Sequence, residues 1–237
     1  MSKNIQILDC TLRDGGLGLE DAEKNDLSHV RFSENDSRMT AGYLADSAID
    51  IIELGSIEIT SDDRTGFCIY KNIEDISKQM PLKKKQNQMF AALYRGPDTP
   101  IDDIPKWNPS LCEAVRVIIR YSELQKSLDF CAALSSKGYK VFVQPMLTMR
   151  YTKEEIQLLI EKSNEMNAYA LYFVDSYGYM ENRDVVDLFN VYDEGLKPQI
   201  KIGFHAHNNM NLAFSNVQTF IDMNSARDLI IDSCVMG

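Results

Sequence analysis

Two histidines one residue apart, His205 and His207, close the run 201-KIGFHAHNNMN-211, and the whole chain holds three. Along a β-strand, residues i and i+2 point to one face. Two imidazoles on one face make half of a divalent-metal site, and a carboxylate from another strand completes three ligands with positions open for water and substrate. The packing alternative is a pair of half-buried imidazoles satisfied by backbone carbonyls. The strand-end position beside Asn208 and Asn209 favours ligation. The expected third ligand is Asp14, in the stretch 8-LDCTLRDGG-16. Arg13 beside it is a guanidinium able to hold a carboxylate or stabilise an enolate oxygen. Gly15 and Gly16 are expected to form a turn with positive φ whose amides approach a ligand. Asp9 reads either as an orienter of Arg13 or as a strand-end cap.

Short β-type runs must position these groups: 4-NIQILD-9, 49-IDIIELG-55, 88-QMFAALY-94, 114-AVRVIIRY-121, 139-YKVFVQPM-146, 168-AYALYFVD-175, 200-IKIGFH-205 and 228-DLIIDSCV-235. Many are continuously apolar, as in parallel strands buried on both faces. Helix-like stretches lie between most of them, at 36–48, 122–138, 152–167, 182–195 and 211–224. Thr152 and Glu155 form a capping box, and Gly138 and Gly195 sit where C-cap glycines belong. The Pro-rich segment 96–113 reads as irregular, and the polar segment 15–35 as a loop. Eight strands alternating with helices predict a (β/α)8 TIM barrel. A doubly wound sheet is the alternative, but 14-DGGLG-18 does not match its GxGxxG turn.

A barrel carries its site at the C-terminal ends of its strands, so Asp9, Glu53, Gln144, Asp175 and Asn209 are the expected substrate-binding residues. A deaminase site needs further histidines, and His29 lies in the first long connection. A Schiff-base aldolase needs a lysine at an inner strand end, whereas Lys140 and Lys201 stand at strand beginnings. The eighth strand runs almost to Gly237 and leaves no room for an eighth helix. The expectation is one barrel domain over 1–237, truncated at its C-terminus. A homo-oligomer partner or an additional C-terminal domain would then cover the barrel edge.

A formal net charge of −10 over 237 residues argues against nucleic acid or an anionic membrane as partner, and the run 83-KKK-85 is too short to reverse this. The partner expected is a small molecule. Cys10, Cys68, Cys112, Cys131 and Cys234 are widely spaced and form no CxxC. They read as small hydrophobes in a reducing compartment. With no signal-peptide pattern and no apolar run of the ~20 residues a membrane span needs, the expected location is cytoplasmic.

The stretches 8-LDCTLRDGG-16 and 204-FHAHNNMNLA-213, and less specifically 174-VDSYGYM-180 and 231-IDSCVMG-237, resemble a family of metal-dependent barrel lyases and condensing enzymes. That family includes hydroxymethylglutaryl-CoA lyase, isopropylmalate synthase and 4-hydroxy-2-oxovalerate aldolase, and the resemblance covers essentially the whole chain. It implies a divalent metal, usually Mg2+ or Mn2+ and sometimes Zn2+, held by Asp14, His205 and His207. It further implies that Arg13 stabilises the enolate, with Arg13 and Asp14 as the catalytic pair. The pattern is also similar to aldolase-like N-terminal domains of longer bacterial proteins. Two positions depart from the family. Synthase-type members carry Glu-Gln after RDG, where this chain has Gly16-Leu17. Aldolase-type members place a histidine base at the position of Leu17, which leaves His29, Glu20, Glu53, Tyr177, Tyr179 or bound water for that role. The resemblance therefore implies aldol-type cleavage of a 4-hydroxy-2-oxo acid through a metal-stabilised enolate, releasing pyruvate or a similar oxo acid. The alternatives are a Claisen-type condensing acyltransferase, which the missing Glu-Gln disfavours, and a catalytically impaired metal-binding or regulatory barrel.

Overall fold

The computed structural model describes residues 4–59, 62–82 and 85–235. Lys83 and Lys84 of the basic run, and Met236 and Gly237 of the last motif, lie outside the described residues. The strands are β1 (Ile5–Asp9), β2 (Ile51–Ile57), β3 (Ile69–Tyr70), β4 (Met89–Tyr94), β5 (Ala114–Ile119), β6 (Lys140–Pro145), β7 (Ala170–Asp175), β8 (Lys201–Ala206) and β9 (Leu229–Ser233). The helices are α1 (Thr11–Lys24), α2 (Glu34–Asp46), α3 (Ile73–Ser77), α4 (Leu124–Ser136), α5 (Lys153–Glu165), α6 (Asn182–Gly195) and α7 (Ala213–Asp222). The sheet order is β1-β9-β8-β7-β6-β5-β4-β2-β3, and β1 also pairs with β2. The fold is thus a parallel eight-stranded closed barrel, with the two-residue β3 appended and seven helices among the described residues. The connection from β4 to β5 holds only a short 3-10 turn, Ile101–Asp103. Pro97, Pro100, Pro105 and Pro109 keep that segment from becoming a helix. No helix among the described residues is long and apolar enough to cross a membrane.

The chain packs as two compact units. One comprises residues 7–116, 137–139 and 233–237. Its centre is β2, buried along its whole length and paired in parallel with β4. Here the structure corrects the reading of residues 15–35 as a loop, because α1 runs straight through RDGGLG. Its buried residues are Thr11, Leu12, Gly15, Gly16 and Glu20, a helical stripe that is small and polar rather than apolar. Gly15 and Gly16 are helical residues without positive φ, not a ligand-facing turn. Gly16 serves close approach instead, since a Cβ there would overlap the Phe67 carbonyl. Asp14 in the first turn and Lys24 in the last suit the helix dipole. Gly138 takes the left-handed conformation expected of it, with φ +93.

The other unit comprises residues 1–6, 117–136 and 140–232. In it β7 pairs with β8 from Ala170–Lys201 to Asp175–Ala206, and β9 follows with Ile202 opposite Leu229. The rings of Phe173, Phe204 and Phe220 pack against one another, with Phe173 and Phe204 centroids 4.7 Å apart. The capping box of Thr152 and Glu155 starts α5 as the sequence predicts.

The Gly195 C-cap reading is corrected. Gly195 is the last residue of α6, has no positive φ, and lies where a Cβ would crowd Ile160. The end of α6 is capped by Arg227, whose guanidinium donates to the carbonyls of Asp193, Leu196, Lys197 and Ile200 and to the Asp193 carboxylate. A buried cation thus satisfies carbonyls that a helix end leaves open. Replacing Arg227 with Met should cost roughly 3 kcal/mol, read as a lower urea midpoint at unchanged slope.

Candidate active site

β1 ends in Asp9, whose carboxylate accepts from Thr11 N at 2.9 Å and Thr11 Oγ1 at 3.0 Å. Of its two readings, the cap of its own strand end is the one these bonds describe. Burial raises the Asp9 pKa despite the Thr11 hydrogen bonds, and the charges of Glu53 and Asp14 push the same way. The turn delivers Arg13 and Asp14 in the first helical turn of α1. Arg13 donates from Nε to Glu53 Oε2 at 2.7 Å and from Nη1 to Asp14 Oδ1. The same Glu53 oxygen accepts from Arg116 Nη1 at 3.0 Å, and both of those side chains are 0% exposed. Burial alone would push the Arg13 pKa down, but Glu53 and Asp14 outweigh it and leave the value raised. Arg13 is a fixed cation as a result. Its Nη2 is buried with no hydrogen-bond partner among the described residues, a donor set suited to a bound anion.

Cys10 is the N-cap residue of α1. Its thiol donates to Asp14 Oδ2 at 2.9 Å and reaches Ser233 O at 3.3 Å. Sequence reasoning treated this cysteine as packing, and the only local signal was its spacing of four residues from Asp14.

In the other unit, His205 lies on β8 and is 5% exposed. Its Nδ1 is 2.7 Å from Asp232 Oδ2 on β9, and the second oxygen of Asp232 accepts from Tyr172 Oη at 3.0 Å. His207 lies just past the strand end and is exposed, with Nδ1 2.7 Å from the Asp175 carbonyl oxygen. A carbonyl only accepts, so the hydrogen sits on Nδ1 and Nε2 is left as the acceptor nitrogen. A carboxylate beside His205 Nδ1 selects the same tautomer. The two rings are 4.8 Å apart at 83°. Asp232 stands at the end of the last predicted strand, where a barrel's site lies, but nothing near it in sequence marks it as the partner of His205.

The other expected residues take varied roles. Asp175 accepts from Tyr179 N at 3.0 Å and Met180 N at 3.1 Å, shaping the turn after β7. Gly178 in that turn, at φ +64, packs so closely on Asn209 that a Cβ would collide with its amide nitrogen. Asn209 itself is exposed. Gln144 is 5% exposed, and its Oε1 has no hydrogen-bond partner among the described residues. Of the residues considered as bases, Glu20 is bound by Lys24 and Arg64, and Glu53 by Arg13 and Arg116. His29, Tyr177 and Tyr179 are exposed, as is Leu17 at 39%.

Within one unit the Asp14 carboxylate stands beside Arg13 and Cys10, and within the other the fixed tautomer leaves His205 Nε2 open. Carboxylate and imidazole are donor types that divalent metals take.

A parallel barrel of this build defines the α/β barrel class. The HMGL-like family profile matches residues 4–237, and the chain belongs to that family. A curated relative, 4-hydroxy-2-oxovalerate aldolase of Shewanella woodyi, is 26% identical over 246 residues. The match covers 100% of this chain and 66% of that protein, so the chain spans just under two thirds of the relative's length. Among solved structures, the N-terminal domain of a proposed aldolase from Bacteroides vulgatus superposes with a TM-score of 0.75 at 21% identity, covering 97% of this chain and 72% of that one. HMG-CoA lyase of Bacillus subtilis gives 0.71 at 14% identity, covering 98% and 76%. At these identities the two structures attest the fold.

Glu53→Gln should leave two buried guanidiniums facing a neutral amide. The expected loss is about 3–5 kcal/mol in chemical denaturation, larger than for the double variant Glu53→Gln with Arg116→Met.

Proposed function

We propose that this chain is a divalent-metal-dependent carbon–carbon lyase that cleaves a 4-hydroxy-2-oxo acid into an aldehyde and pyruvate or a related 2-oxo acid. The observation that carries the reading is the pair of imidazoles whose Nδ1 atoms are both engaged, at 2.7 Å each, leaving two Nε2 atoms for a cation. Asp14, His205 and His207 would hold the metal, with Mg2+ or Mn2+ implied by the family resemblance. When bound, the metal supplies Lewis acidity for the substrate's 2-oxo group. The 4-hydroxyl proton leaves, the C3–C4 bond breaks, and its electron pair enters an enolate that is then protonated at C3. Arg13 contributes a buried cation with unpartnered Nη2 donors for the oxo acid's carboxylate or the enolate oxygen. Glu53 and Arg116 hold that cation in place. The 4-hydroxy-2-oxo acid in the name of the curated relative enters this chain's reading only as part of this proposal.

A second reading rests on Leu17, which is 39% exposed at the position where the aldolase-type relatives carry a base. With Glu20 and Glu53 in ion pairs, the proton acceptor falls to bound water, and a barrel that binds metal without turnover is the competing outcome.

Pyruvate release from 4-hydroxy-2-oxo acids of varied chain length, assayed with Mn2+ or Mg2+, tests the proposal. Arg13→Lys should lower kcat about 10²–10³-fold, and Asp232→Asn should weaken metal binding by about 10–100-fold. Metal binding with no release from any such acid would favour the binding barrel. Metal binding indifferent to His205→Ala would remove both readings.

A further inference from the structure

Gln144 Oε1 is a buried carbonyl oxygen with no hydrogen-bond partner among the described residues, on a residue 5% exposed. The pairing of β6 with β7, Phe142 to Ala170 and Val143 to Leu171, sets Gln144 alongside Tyr172. Side-by-side residues of neighbouring strands point to one face. The Tyr172 ring lies over Gly203, where a Cβ would collide with it, and Gly203 shares its face of β8 with His205. Gln144 therefore stands on the face that carries His205, and all four residues belong to the unit that contains 140–232. Hydroxyls on neighbouring residues are committed elsewhere. Tyr172 Oη donates to Asp232, and Thr148 Oγ1 donates to the Pro145 carbonyl. Buried polar atoms are nearly always partnered, so an unmet acceptor near a strand end, where barrel sites lie, suits a donor brought in by a ligand.

In a 4-hydroxy-2-oxo acid the carboxylate and the 2-oxo group only accept hydrogen bonds. The 4-hydroxyl is the one donor that every member of the class carries. We propose that Gln144 recognises the substrate's 4-hydroxyl, its Oε1 accepting the hydroxyl hydrogen, so that the site selects 4-hydroxylated acids over their unhydroxylated counterparts. The proposal rests on the lyase reading above and deepens it. A neutral amide does not take up the proton, so Gln144 orients the O–H bond and is not the base. Discrimination of this kind is strong because an analogue without the hydroxyl leaves the buried acceptor unmet.

The test compares 2,4-dihydroxypentanoate with 2-hydroxypentanoate in calorimetric titrations of the intact chain with Mn2+ present. Both acids lack the 2-oxo group and cannot be cleaved, and they differ only in the 4-hydroxyl. The wild type should bind the 4-hydroxylated acid about tenfold or more tightly. Gln144→Met should abolish the difference, and Gln144→Glu, which keeps an acceptor, should retain it. The urea midpoint of ligand-free Gln144→Met should equal or exceed that of wild type, because the variant removes an unmet acceptor. Equal affinities for the two acids in the wild type, or no binding of either, overturn the proposal. So does a preference that survives in Gln144→Met. A midpoint well below wild type also overturns it, since the amide would then be engaged within the protein. Pyruvate release scores the lyase reading separately. Release without a hydroxyl preference removes only the role of Gln144, and a hydroxyl preference without release supports that role in a barrel that binds but does not cleave.

Discussion

A carboxylate with no access to water must be neutralised where it stands, and Glu53 is neutralised by two guanidiniums that meet on one of its oxygens. Arg116 comes from β5 and is as buried as Glu53 itself, so it anchors the pair from within the unit. Arg13 comes from the first turn of α1 and is the member of the trio with solvent exposure. The pairing holds one guanidinium nitrogen on Glu53 and another on Asp14, leaving Nη2 uncommitted. A cation fixed this way needs little reorganisation when negative charge develops beside it, which is what electrostatic stabilisation of an enolate requires. The close approach of α1 to Phe67 makes the arrangement possible, and that approach depends on a glycine at position 16.

The histidines are prepared by the same economy of partners. Each has its Nδ1 engaged by an oxygen, Asp232 for His205 and the Asp175 carbonyl for His207. Asp232 is in turn held by the Tyr172 hydroxyl. Asp175 contributes twice, through its carbonyl to His207 and through its carboxylate to the amides of Tyr179 and Met180. Ring orientation and tautomer are thereby decided before any ligand arrives.

The strands were legible because continuous Ile, Val, Leu and Phe runs have no other stable home than a sheet covered on both sides. Five of the helices were legible from their apolar period and their caps. Helix α1 was not, because the face it buries is built from Thr11, Leu12, Gly15, Gly16 and Glu20, and Leu12 is its only large apolar side chain. The cap of α6 was misread for a related reason. Gly195 is there for closeness to Ile160, while the capping group, Arg227, stands 32 positions later in sequence, on the approach to β9.

The sequence by itself determined the run of barrel strands along the chain, the placing of His205 and His207 at the end of β8, and the chemical kinds present in LDCTLRDGG. These follow from local geometry, since side-chain alternation and apolar period act over a few residues. The tertiary structure decided which group holds which. Glu53 meets Arg116 across 63 residues and His205 meets Asp232 across 27. Such pairs depend on strand register and on the requirement that a buried charge or imidazole find a partner. No local pattern encodes that requirement, so the partnerships of Arg116 with Glu53 and of Asp232 with His205 emerged only when the strands were side by side.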